Sequence, residues 1–133
     1  MLCVATCAIL SHPDLSPGAL RASIARALIT HPDLLLMDEP FGALDEITRQ
    51  HLNEELFHLW FKDRWTCVFI THNVSDAIFL SQRILVMSPR PGRIVAELPV
   101  PFGNERTLQL RTSAEFNQFA DHVSIHLNQR QPL

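Results

Sequence analysis

The chain has 133 residues, of which 47% are apolar and 19% charged, with a formal net charge of −3. That is enough for one modest domain with a real core, and it excludes a disordered or collagen-like chain. The slightly acidic balance offers nucleic acid no basic face.

Three cysteines with no CxxC pair and seven histidines with no HExxH or Cys/His cluster indicate neither a disulfide framework nor a side-chain metal centre. Residues 1–14, beginning "MLCVATCAIL", fit no element pattern and stay unassigned. The apolar run there is too short to span a bilayer and lacks the basic start of a signal peptide. Residues 16–30, "SPGALRASIARALIT", predict a helix. Ser16 is the N-cap and Pro17 takes the first helical position, where a missing N–H costs little. Leu20, Ile24, Ala27 and Leu28 form its apolar stripe, and "HPD" at residues 31–33 ends it.

Leu34–Asp38, "LLLMD", is short, apolar until its last residue and bounded by turn signals, which predicts a buried strand. A second helix is expected from Asp45 as N-cap to about Phe61, with Leu52, Leu56, Leu59 and Trp60 inward. "TCVFIT" at 66–71 predicts another buried strand, 75–81 a short helix, and "RILVM" at 83–87 a strand. "SPRPG" at 88–92 is a turn, and "RIVAEL" at 93–98 alternates as a strand pairing back on its neighbour. Residues 113–128 read as a terminal helix. Alternating strands and helices predict an α/β fold with parallel central strands.

In such sheets ligands sit beyond the carboxyl ends of the strands. Asp38 and Glu39 leave the core at one such end, and Thr71 and His72 at the next. An apolar strand ending in Asp-Glu has the layout of a Walker B element. The aspartate helps hold Mg²⁺, and the next carboxylate orients or deprotonates the water that attacks a γ-phosphate.

"LSPGALRASIARAL", "LLLMDEPFGALD" and "FITHN", in that order, resemble the ATP-binding subunit of an ABC transporter. "VMSPRPGRIVAELPV" and "LRTSAEFN" look like the importer branch for nitrate, sulfonates and taurine. The resemblance implies a partial P-loop NTPase sheet with flanking helices, lacking the Walker A strand. Residues 15–101 match the C-terminal part of the ATPase domain, and 102–133 form a partly helical tail. It implies roles too: Asp38 at Mg²⁺, Glu39 as catalytic glutamate, His72 as the switch histidine at the γ-phosphate. Gly42–Asp45 match the loop that crosses the dimer. Ser16 and Gly18 fall in the signature motif, which grips the ATP of the other subunit. The implied cofactors are ATP and Mg²⁺. The implied partners are a second ABC ATPase subunit and membrane permease subunits, on the cytoplasmic face of the membrane, with no nucleic acid.

Two departures qualify the match. The chain has no G-x-x-x-x-G-K-[ST] loop, and its single lysine, Lys62, has no glycine near it. The signature reads "LSPGA" and appears one residue short. That turns the helix start by about 100° relative to its body at 3.6 residues per turn. The expectation is therefore an ABC importer ATPase piece, truncated or frame-disrupted near residue 1, and inactive alone. A second reading is a non-catalytic module that pairs with an intact ABC ATPase subunit and modulates it.

Overall fold

The computed structural model describes the strand backbone at residues 7–10 and all of residues 16–128. The chain divides into two compact units, one ending at His72 and one beginning at Asn73.

The first unit is built on a three-stranded parallel sheet: β1 (Cys7–Leu10), β2 (Leu34–Asp38) and β3 (Thr66–Ile70), in that order. β2 is central and pairs Leu34 with Cys7 on one side and with Thr66 on the other. Both edges of β2 are thus paired, and its consecutive residues Leu34 and Leu35, which point to opposite faces, are both buried, so its sequence is apolar without alternation. β1 lies inside the segment left unassigned in the sequence, so the sheet has a strand that local pattern did not disclose. Helix α1 (Pro17–Ile29) starts as its sequence predicts, with the Ser16 hydroxyl accepting from the Ala19 N–H at 3.3 Å. Leu20 and Ile24 are its buried residues.

Helix α2 (Glu46–Asp63) is two residues longer than expected and buries a different stripe. Leu52 and Leu56 are inward as predicted, but Phe57 is 1% exposed whereas Leu59 is 38% exposed. The helix is terminated by Arg64, which adopts a left-handed backbone and donates its N–H to the Trp60 carbonyl. Its guanidinium lies 4.7 Å from the Trp60 ring centre and 4.4 Å from that of Phe61. These cation–π contacts offset the cost of a left-handed residue other than glycine. The surface pair Arg21–Glu55, at 2.9 Å, ties α1 to α2.

The second unit contains helix α3 (Val74–Leu80), a two-stranded antiparallel sheet of β4 (Arg83–Met87) and β5 (Ile94–Pro99), a 3-10 turn at Leu108–Thr112, and helix α4 (Ala114–Asn128). The expected return of the fifth strand on the fourth is present, with Arg83 opposite Pro99. β4 is not a strand of the parallel sheet; among the described residues its partner is β5. The turn at 88–92 brings β5 back after few residues, which costs less chain entropy than a crossover. Ile78, Phe79, Ile84, Phe116 and Val123 form this unit's core. Each such side chain contributes about 1.5–3 kcal/mol of burial. Asp76 and Arg111 form a buried pair at 3.6 Å, with the guanidinium 4.6 Å from the Phe79 ring centre.

Candidate functional site

The carboxyl ends of β2 and β3 lie side by side, because Asp38 is in register with Ile70 and the Glu39 N–H donates to the Ile70 carbonyl at 2.8 Å. Met37 is buried and Asp38 is exposed, so polarity switches within one residue as the chain leaves the core. Glu39 then turns sharply, with φ at 46°. The left-handed region costs a side-chain-bearing residue about 1–2 kcal/mol, and such residues gather at functional sites.

That turn aims the Glu39 carboxylate across the strand ends. Its Oε1 accepts the His72 backbone N–H at 2.8 Å and stands 2.7 Å from His72 Nδ1. Both contacts fall on one oxygen. The His72 side chain is 86% exposed and that of Glu39 35%, so the pair faces solvent. A carboxylate neighbour favours the proton on Nδ1, and Nε2 takes no part in this contact.

The loop after Glu39 is anchored from beneath. Phe41 is 2% exposed, with its ring centre 5.7 Å from that of Phe69 on β3. The Gly42 N–H donates to the Glu39 carbonyl at 3.2 Å, and the Leu44 N–H to the Phe41 carbonyl at 3.2 Å. These bonds close two tight turns that deliver Asp45 to the start of α2.

Asp45 caps α2, accepting the Thr48 N–H at 3.1 Å. The Thr48 hydroxyl and backbone N–H hold the Asp45 carboxyl below its ordinary range. A lowered carboxylate favours the folded state above the unfolded-state value and loses that contribution as pH falls through the folded one. Asn caps helices as well as Asp but does not titrate. Asp45→Asn should therefore match the wild type near neutral pH and lose less stability as pH falls below the ordinary aspartate range, read from urea midpoints at neutral and acidic pH.

The structure thus brings Asp38, Glu39 and His72 together at one end of the sheet. Ser16 and Gly18 stand elsewhere, at the start of α1, where Ser16 is engaged as a helix cap. Gly18 has open space around it: an added Cβ would meet nothing within 4 Å. No packing requirement in this chain accounts for a glycine there. The role of Phe41 as anchor was not read from the sequence; its place two residues after the acidic pair was the available signal. Cys67 behaves as a small apolar residue, its thiol pushed up to about 12 by burial.

The donor set suits Mg²⁺ bound with a nucleotide rather than a resident metal. Asp38 offers a hard, exposed carboxylate, and Mg²⁺ commonly takes one or two of these plus phosphate oxygens and water. Among the described residues no cluster of three or more His, Cys, Asp or Glu side chains could cage an ion alone.

Over most of its length the chain is a homologue of the ABC ATP-binding proteins. Within them it is similar to import proteins named for taurine, aliphatic sulfonates and nitrate. It is 42% identical over 120 residues to a taurine import ATP-binding protein of Rhizobium johnstonii, covering 85% of this chain and 45% of the relative. It is 46% identical over 101 residues to an aliphatic sulfonates import ATP-binding protein of Bacillus cereus, covering 73% and 40%. A nitrate import ATP-binding protein of Synechocystis is 42% identical over 117 residues, covering 84% and 44%. The chain spans a little under half the length of these relatives. No protein-family profile matches it. Among the described residues no helix is long and apolar enough to cross a membrane.

Proposed function

We propose that this chain supplies the Walker B side of an ABC importer ATPase, which couples ATP hydrolysis to uptake of nitrate-, sulfonate- or taurine-like anions. The observation that carries this reading is the Glu39–His72 pair at the mouths of two adjoining parallel strands, in a chain homologous to import ATP-binding proteins. Asp38 would hold Mg²⁺ with the nucleotide, and the ion would neutralise charge on the phosphates. Glu39 Oε1 is fixed by His72, which leaves Oε2 to accept a proton from the attacking water. With Nδ1–H turned to Glu39, Nε2 can donate to a γ-phosphate oxygen only when the imidazole is charged. A charged His72 between two anions would tie the base to the group it acts on.

Ser16 and the open N-terminus of α1 around Gly18 would face the nucleotide of a second ABC ATPase subunit, and Asp45 would lie in the loop between subunits. Membrane permease subunits would place the assembly on the cytoplasmic face. The 133-residue polypeptide by itself is expected to be inactive, because it contains no glycine-lysine loop to seat the phosphates. A sensitive phosphate-release assay on the pure chain with Mg²⁺ and ATP should read at background, with Glu39→Gln indistinguishable from wild type. Turnover that Glu39→Gln abolishes would overturn this reading.

A further inference from the structure

We propose that His122 and His126, on successive turns of α4, form a two-imidazole chelate for a divalent transition ion of the zinc, nickel or copper type. The site uses no residue of the strand-end constellation. It begins with sequence spacing: residues four apart on a helix lie on one face, with Cβ atoms about 5–6 Å apart. α4 buries Phe116 and Val123 on its inner side, while His122 is exposed and His126 partly exposed. Phe119 stands beside His122, ring centres 6.1 Å apart, and walls one side of the pair.

The two imidazoles are 5.0 Å apart between ring centres. A metal–nitrogen bond of about 2.1 Å puts each ring centre about 3.2 Å from the ion, so two rings at right-angled to tetrahedral positions are about 4.5–5.2 Å apart. The observed separation falls in that interval. The ring planes are at 88°, the edge of one toward the face of the other. Chelation requires rotation about the side-chain torsions to bring one nitrogen of each ring to a common point, a motion that takes picoseconds to nanoseconds at a surface.

The donor set determines the ion. Two imidazole nitrogens, which among the described residues belong to no larger cluster with carboxylates or thiolates, suit zinc, nickel or copper, whereas magnesium and calcium require oxygen. Two protein ligands leave two or more coordination positions to water, so the bound ion exchanges readily and is not a structural centre of the closed, four-ligand kind. A chelate spanning one helical turn also favours the helical state, by binding the folded form in preference to the unfolded one.

The test is a titration of the full chain with zinc chloride, followed by the imidazole proton resonances and by calorimetry. The resonances of His122 and His126 should shift or broaden first, before those of the other histidines, with one equivalent taken up. Magnesium chloride should move neither. His122→Ala and His126→Ala should each abolish this uptake, and the double variant should be no worse than either, because both arms of the chelate are needed. Zinc should raise the melting temperature of the wild type and leave that of the single variants unchanged. The proposal fails if other histidines respond first, or if either single variant keeps the wild-type uptake. The order of response in the wild type decides the question even if a variant folds poorly.

Discussion

Arg106→Met should destabilise the protein by about 3–4 kcal/mol, read as a lower urea midpoint with an unchanged slope. Arg106 is 3% exposed and its guanidinium donates to five carbonyls. Three of these, on Ile78, Phe79 and Ser81, belong to the end of α3, at 3.1, 3.0 and 2.6 Å. The others, on Phe102 and Gly103, belong to its own loop, both at 2.9 Å. The need arises in α3 itself. The helix is seven residues long, too short to stand alone, and Ser81 at its end is extended, with no left-handed glycine to close the last turn. Its final carbonyls are therefore orphans, and Arg106 takes the place of the missing cap.

Burial pushes the Arg106 guanidinium down to about 10, still well above neutral, so the charge persists and its hydrogen bonds are charge-assisted. Methionine keeps the apolar stem and removes every donor, leaving the Ile78, Phe79 and Ser81 carbonyls without that partner in a buried place and those of Phe102 and Gly103 in a partly buried one. Arg106→Lys should fall between, since an ammonium carries three donors and cannot reproduce the planar fork. A methionine variant with the wild-type midpoint would show that these bonds contribute nothing net.

Arg106 also marks where sequence reading ends. Its partners on α3 and Ser81 lie 25 to 28 residues away, and nothing in "PFGNERTL" distinguishes a buried guanidinium from a solvated one. The same limit hid β1. A four-residue apolar run is a strand only if a neighbour takes its hydrogen bonds, and Cys7 finds its partner at Leu34. Where the instructions are local, the sequence was explicit. Ser16-Pro17 sets the start of α1, Asp45 sets the start of α2, and the uninterrupted run Leu34–Met37 declares a strand covered on both sides.

The strand-end site was legible for a related reason. Polarity reverses abruptly at Asp38 and again at Thr71–His72, and two parallel strands in register must deliver those reversals to the same edge. What could not be read was the geometry that joins them: a left-handed Glu39 is a property of the turn, not of glutamate. The inward face of α2 is likewise not set locally, with Phe57 buried and Leu59 exposed. Leu59 and Phe57 are both apolar, and only the position of the sheet decides which of them is covered.

Phe41→Ala should cost about 3–5 kcal/mol and, at the same time, loosen the candidate base. The ring is 2% exposed and rests against Phe69, itself 5% exposed. Phe41 is two residues from Glu39, and the Gly42 N–H bonds the Glu39 carbonyl, so anchor and carboxylate belong to one tight turn. Removing the ring leaves a cavity that the turn can relax into. The left-handed Glu39, held against its own preference, then has a reason to move. The His72 amide reports the result, because its hydrogen bond is to Glu39 Oε1. Its exchange with solvent should accelerate in Phe41→Ala, measured where the variant is still mostly folded. Glu39→Ala should accelerate that amide as much with a far smaller loss of stability, since it removes the acceptor and leaves the core intact. Phe41→Leu should show both effects in reduced form. If Phe41→Ala lowers stability as stated while the His72 amide stays as protected as in the wild type, the anchor and the carboxylate are mechanically independent. The apolar residue after the acidic pair would then serve the core alone.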